Sequence, residues 1–420
     1  MPNSWILPAL ICLAVLPFLP FLGLPLISDD YSQLFFARRY VSLSGLGDLA
    51  GDVLYRSRAT SLLLTRGVDA LFGLSQPAHL AAGLLLHALN VALLFQLARS
   101  LRLDRATAML AAACFATHSG HQEAIVWIAS HHELLVFSLG AVAVFSWLRW
   151  LHGGGNGWGL ASSVAYLAAL YSKESAVVLL PLLAALWWTA PHRTRAKLAW
   201  LFPLLAVTLL YTTAIFQASA SHLHLNDGTF SFGAPFWVTL PVSLARLLWP
   251  AGFIGLAIVF SLGDAAARRL SVGALLWMIL ALLPYVFLTY QNRVPSRHTY
   301  LAAAGLALLL AAALRTLANR LPRSAAWAVP ALFALLFAGN LANLWSRKLP
   351  QFERRAQATE RFLDFASRHP GPIAVGTAPF PLTVYQHAAA IVFGRTPESV
   401  QRFRAPLDSQ TALYSDVVHP

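Results

Sequence analysis

At 420 residues the chain is 58% hydrophobic and only 11% charged, with a mean hydropathy of +0.61. Soluble domains carry about a quarter charged residues. The composition therefore excludes a disordered chain, a nucleic-acid-binding module and a cytosolic enzyme, and points to an all-α polytopic membrane protein. The net charge of +13 has to be read by position, and two cysteines in apolar runs, Cys12 and Cys114, exclude a disulfide framework and a cysteine-based zinc site.

The first apolar run, Trp5–Ile27, exceeds the roughly 20 residues needed to cross a bilayer. No Lys or Arg precedes it and it is too long for a signal-peptide core, so it reads as an uncleaved span. Residues 28–78 follow as a charged loop folded on the membrane surface. It holds Asp29, Asp30, Asp48, Asp52 and Asp69 with Arg38, Arg39, Arg56, Arg58 and Arg66. Further spans are expected at His79–Leu97, Ala106–Ala116, Leu134–Leu151, Trp158–Leu170, Ala176–Trp188, Leu198–Ala218, Trp249–Leu262, Ser271–Thr289, Tyr300–Leu314 and Ala325–Leu344. That makes about eleven transmembrane helices. The short ones are tolerated where their ends line a cavity inside the protein. Pro235–Pro250, with Arg246 as its one charge, reads as an interfacial helix. After Leu344 come an amphipathic stretch, Phe352–Arg368, and one strand, Pro372–Gly376. Residues 1–345 thus form a transmembrane domain, and 346–420 a small C-terminal α/β appendix without a catalytic motif.

Alternate loops carry twelve basic residues: Arg99, Arg102, Arg105, Arg149, Arg193, Arg195, Lys197, Arg268, Arg269, Arg315, Arg320 and Arg323. The opposite short loops carry only Lys173, Arg293 and Arg297. The positive-inside bias puts the first set and the N-terminus in the cytoplasm. The 28–78 loop, the 117–133 loop, the 171–175 turn and the 290–299 loop then face outward. An odd span count sends the tail outward too, although Arg347, Lys348, Arg354 and Arg355 favour the inside.

The outward loops hold the residues able to do chemistry. Asp29 and Asp30 follow the first span; Ser28 or Asp29 caps a loop helix, or one carboxylate is a general base at the membrane edge. His118, His121 and Glu123 precede His131-His132-Glu133. Imidazoles and carboxylates suit zinc or manganese, but no HExxH pattern is present, and a polar lining to a substrate cavity fits better. Ser172-Lys173-Glu174-Ser175 is either a solvated turn or a cavity wall, where an ionisable group is costly and functional. Arg297 offers a fork matched to phosphate, or lies in the headgroup layer. His87 and Asn90, one turn apart, are expected to hydrogen-bond between helices.

These pieces resemble the GT-C glycosyltransferases, near the protein O-mannosyltransferase and TMTC-like branch. Asp29-Asp30 is similar to that family's acidic pair in the first outer loop. Tyr55-Arg56, then His79 through His87-Ala-Leu-Asn90, resembles its "YRP … HxxN … HxxN" stretch, with Ser57 in place of the proline. His118-Ser-Gly-His121-Gln-Glu123-Ala-Ile-Val-Trp127 resembles "HPxHxEAVxW", with Ser119 in place of the proline, and Ser172-Lys173-Glu174-Ser175 followed by Pro181 is the fourth match. Ser296-Arg297-His298-Thr299-Tyr300 resembles "SRYLYLPSAG". The resemblance covers roughly residues 1–345.

It implies a GT-C-like membrane domain that takes a sugar from a polyprenyl-phosphate donor. The acceptor is a protein, lipid or glycan outside the cytoplasm of a bacterial inner membrane, and transfer inverts the anomeric centre. Asp29 or Asp30 is the implied base. Arg56, Lys173 and Arg297 are implied for the donor phosphate, and His118, His121, Glu123 and Glu174 for substrate binding. No organic cofactor is implied, and a divalent metal stays open. The rival class is a lipid or glycan transporter or flippase, which tends to show internal repeats; none is visible in the sequence.

Overall fold

The computed structural model describes residues 5–190, 194–289, 292–325, 327–404 and 411–416. Arg193, one of the twelve basic loop residues, lies outside them. The apolar runs fold as helices because hydrocarbon offers backbone N–H and C=O groups no partner but each other. The main helices are α1 (Ile6–Val15), α2 (Asp29–Tyr40), α3 (Ala59–Phe72), α4 (Gln76–Ser100), α5 (Arg105–Ala116), α6 (His131–Leu151), α7 (Asn156–Leu170) and α8 (Leu179–Thr189). They continue as α9 (Leu201–Gln217), α10 (Phe236–Leu248), α11 (Ala251–Leu262), α12 (Ala265–Leu282), α13 (Tyr300–Arg320), α14 (Ala328–Asn343), α15 (Leu349–Arg368) and α16 (Leu382–Phe393). Pro17 and Pro20 withdraw N–H donors beyond α1, and the helix tightens there into a 3-10 stretch, Leu16–Gly23.

Among the described residues, seven helical stretches are long and apolar enough to cross a membrane, or eight if α10 and α11, bent by 81°, count as one. The protein is an integral membrane protein. The sequence expects eleven spans, and the difference falls on short helices. Arg105–Ala116 and Glu174–Thr189 are apolar but brief, and α7 has 15 residues. Most of α5 is buried, so protein surrounds it rather than lipid.

The centre of the bundle is α6 and α13, each with 72% of its apolar window inside the protein. A Cβ on Gly305 of α13 would lie 2.6 Å from the Ala274 carbonyl oxygen of α12, so only glycine allows this approach. The expected interhelical bonds are present. His87 Nδ1 lies 2.8 Å from the Tyr300 hydroxyl, and Asn90 Nδ2 donates to the Leu134 carbonyl at 3.0 Å.

At the C-terminus α14 passes through a π-helical turn, Leu344–Lys348, directly into α15. The expected strand forms β1 (Ile373–Val375), between β2 (Val400–Arg402) and β3 (Ala412–Tyr414) in a parallel sheet. Phe362, Ile373 and Tyr385 of this unit share one hydrophobic cluster with Leu26, Tyr31, Leu34 and Ile128 of the membrane part. Sheet and tail helices are thereby fixed against α2, at the end of the bundle where the expected site residues lie.

Candidate active site

The chain enters α2 through Ser28, whose φ of 44° is a conformation that non-glycine residues rarely adopt. Neighbouring contacts hold it there. The Ser28 N–H donates to Thr359 Oγ1 of α15 at 3.2 Å, and its hydroxyl donates to Asp29 Oδ1 at 3.2 Å. Ser28 makes no side-chain capping bond to α2. Asp29 occupies the first helical position, where the helix dipole favours a negative charge.

The two acids have different surroundings. Asp30 is buried, with Oδ2 accepting from the Ile27 N–H at 3.0 Å and Oδ1 from the Ala129 N–H at 2.9 Å. It pins the start of α2 to the 128–130 turn. Burial, with repulsion from Asp29 added, pushes its carboxyl up to about 7 against those two bonds. Asp29 keeps an open face. Crowding protein still raises its carboxyl above the usual value, against the Ser28 hydrogen bond and the charges of Arg297 and Arg58. Of the pair, Asp29 is the carboxylate with oxygen left for a ligand.

Glu123 and Arg297 come together. The Arg297 N–H donates to Glu123 Oε2 at 3.1 Å, and its guanidinium lies 4.0 Å from that oxygen and 4.9 Å from the Trp127 ring centroid. A residue from the tail joins them: Arg355 of α15 donates to Glu123 Oε1 at 3.3 Å and lies over the same indole. Burial opposes ionisation of Glu123, but the Ser296 hydrogen bond and both arginines hold its carboxyl below the usual range.

Lys173 and Arg56, expected at the donor phosphate, are both bonded to protein groups. Lys173 is buried, with its ammonium bonded to Glu133 and 3.1 Å from both His132 Nε2 and His298 Nδ1. Tyr285 closes the group by donating to Glu133 Oε2 at 2.7 Å. A buried cation is held by a carboxylate, which explains why it sits inside the bundle rather than at its surface. Arg56 turns away to the carbonyls of Ala50 and Ala214. Arg58 takes the inward position, 3.7 Å from Glu174. Glu174 also accepts from the Ser57 hydroxyl at 2.9 Å. Burial opposes its ionisation, yet the Arg58 charge keeps its carboxyl well below the usual range. His121 is fully buried and packs against the rings of Phe115 and Tyr300. His118 is partly open and lines a cavity.

That cavity, about 1050 Å³, runs between α10, α11, α13 and α14. Its far wall is apolar, with Ile254, Leu310, Leu317 and Leu336. Its end near Ser296 carries Arg246, Arg347 and Lys348. Along α13 it extends from Thr299 to Leu317, about 25 Å of helix. Among the described residues no group of three or more His, Cys, Asp or Glu side chains is arranged to hold a metal ion.

Sequence reading missed Arg58, Glu133, Lys348, Arg355 and Thr359. His131-His132-Glu133 was visible as a cluster, but the other four had no local motif.

No family model matches the sequence, and no curated protein matches it. Solved structures do resemble the fold. The Archaeoglobus fulgidus oligosaccharyltransferase, tethered to an acceptor peptide containing the NVT sequon, matches 95% of this chain with a TM-score of 0.50 and 10% identity. The chain spans 64% of that protein's length. ArnT from Cupriavidus metallidurans, bound to undecaprenyl phosphate, matches 96% of this chain and 90% of its own, with a TM-score of 0.50 and 13% identity. The chain shares its overall fold with both structures.

Proposed function

We propose that the chain is a membrane glycosyltransferase that moves a sugar from a polyprenyl-phosphate donor to an extracytoplasmic acceptor, with Asp29 as general base. One observation carries the reading. An open carboxylate on a strained turn feels the charges of Arg297 and Arg58, and Arg297 follows Ser296, which lines a long, largely apolar cavity with a basic end.

The cavity suits an isoprenoid tail, since its lining is largely apolar along about 25 Å. A phosphate at the basic end lies near Arg297, beside Ser296 of the lining. The acceptor oxygen attacks the anomeric carbon from the face opposite the phosphate. Its proton passes to an Asp29 oxygen, the bond from anomeric carbon to phosphate oxygen breaks, and the phosphate keeps the electron pair. Arg297 faces the charge that grows on the leaving group. A carboxyl raised above its usual value is a better proton acceptor than an ordinary aspartate. Asp30 positions the turn, and Glu123 aligns Arg297.

The motifs at 118–127 and 296–300 support a finer placement near the protein O-mannosyltransferase and TMTC-like branch, with a hexose or pentose transferred. The arginine bias supports a site facing away from the cytoplasm. The test is release of polyprenyl phosphate by the reconstituted protein from a panel of synthetic polyprenyl-phosphate hexoses and pentoses, with isolated membranes as acceptor source. Release by the wild type, abolished in Asp29→Asn, is expected. No release from any donor, with no affinity for undecaprenyl phosphate, would overturn the reading.

A further inference from the structure

The proposed reaction uses no side chain beyond residue 300, yet the tail brings two cations to the basic end of the cavity. Lys348 closes the π-helical turn Leu344–Lys348, a type of irregularity frequent at functional sites. It lines the cavity with Arg246 and Arg347 and is half-buried. Among the described residues it makes no hydrogen bond or ion pair, and the charges around it are Glu123, Arg246, Arg293 and Arg355. Arg355 lies seven residues on, two helical turns along the same face. Its one hydrogen bond among the described residues goes to Glu123.

The local charges do not balance. Arg246, Arg293, Arg297, Lys348 and Arg355, five cations, share only two carboxylates, Glu123 and, through Arg297, Asp29. Cations this close beside an apolar cavity repel one another unless an anion joins them. The tail is also held firmly in place. Trp345 Nε1 donates to the Pro17 carbonyl at 2.9 Å, Asn343 Nδ2 to the Ser119 hydroxyl at 3.0 Å, and Thr359 accepts the N–H of Ser28 next to Asp29. Lys348 and Arg355 therefore have fixed positions relative to Asp29.

We propose that Lys348 and Arg355 bind the phosphate of the lipid donor, so that the C-terminal unit is part of the binding site and not an appendage. This rests on the proposed glycosyltransferase function. Arg355 supplies guanidinium N–H donors beyond the one spent on Glu123, and Lys348 supplies an ammonium with no hydrogen-bond or ion-pair partner among the described residues.

The test titrates purified full-length protein with farnesyl phosphate and with farnesol, which share a tail and differ in the anion. Lys348→Gln and Arg355→Gln should each weaken farnesyl phosphate binding at least tenfold and leave farnesol affinity unchanged. Arg355→Lys should recover part of the loss. Because the Lys348 side chain has no hydrogen-bond or ion-pair partner among the described residues, Lys348→Gln should fold normally even if Arg355→Gln does not. Unchanged phosphate affinity in folded Lys348→Gln and Arg355→Gln would overturn the proposal. So would equal competition by phosphatidylglycerol, which would mark a general headgroup site. If the wild type binds farnesyl phosphate no better than farnesol, the functional reading itself fails, and the proposal with it.

Discussion

Replacing Lys173 by methionine keeps the side chain's length and removes its charge. In the folded protein Lys173, Glu133, His132 and His298 are each at least 94% buried, and the Lys173 ammonium is bonded to Glu133. Removing one partner leaves the other charge buried and uncompensated, which costs roughly 3–5 kcal/mol. Tyr285 still donates to Glu133 at 2.7 Å, so the low end of that range is expected. In Lys173→Met combined with Glu133→Gln both charges are gone and Tyr285 keeps an acceptor. The double variant should regain part of the loss, with a coupling of about 1–3 kcal/mol. Thermal unfolding of the purified variants should rank wild type above the double variant and the double variant above Lys173→Met. Farnesyl phosphate affinity of the folded protein should hold throughout. A Lys173→Met protein as stable as wild type but unable to bind the phosphate would refute this reasoning and return the lysine to the donor site.

Asp29→Asn should lower turnover by about 10²–10⁴-fold with donor affinity kept, the usual range for a lost general base. Asp30→Asn should instead lose stability by about 1–3 kcal/mol, because one of two backbone N–H groups faces an amide NH₂, and should keep more turnover per folded molecule. The raised Asp29 carboxyl predicts that kcat/KM falls on acidification through an apparent pKa above the ordinary aspartate value of about 4. A profile flat from pH 4 to 8 would contradict that. For Asp30 the folded value of about 7 exceeds the unfolded 3.8, so its contribution to stability is fully present below 3.8 and is lost as pH rises through 7. Thermal unfolding of Asp30→Asn should lack that slope. In a chain with Cys12 and Cys114 replaced by alanine, a cysteine at the exposed Ser44 should react with an impermeant thiol reagent from outside, and one at the exposed Leu101 should not. The reverse pattern would invert the orientation.

Hydropathy alone revealed most of the bundle, because a 20-residue apolar run in lipid has little choice but helix. The bonds of His87 and Asn90 were legible for the same reason: a polar group on a buried face needs a partner. Short helices such as α5 confused the span count, since burial in protein and burial in lipid select the same composition. At the site, the pairing of Glu123 with Arg297 joins two segments that both carried motifs. Arg56 and Arg58 illustrate the limit. They are two residues apart across the end of a short helix, Val53–Arg56, and the turn sends one to the Ala214 carbonyl and the other to Glu174. Lys173 gave no sign of being buried because its partner is 40 residues away on α6. Lys348, Arg355 and Thr359 reach the site only because the tail folds back on α2, a contact that no local pattern encodes.

Native mass spectrometry of the full-length protein, released from membranes in native-lipid discs and then offered undecaprenyl phosphate, tests the donor assignment most directly. The account predicts a polyprenyl phosphate or its glycosylated form bound one to one, displaced by added undecaprenyl phosphate and weakened in Lys348→Gln. Phospholipid alone, undisturbed by a large excess of undecaprenyl phosphate, would contradict it.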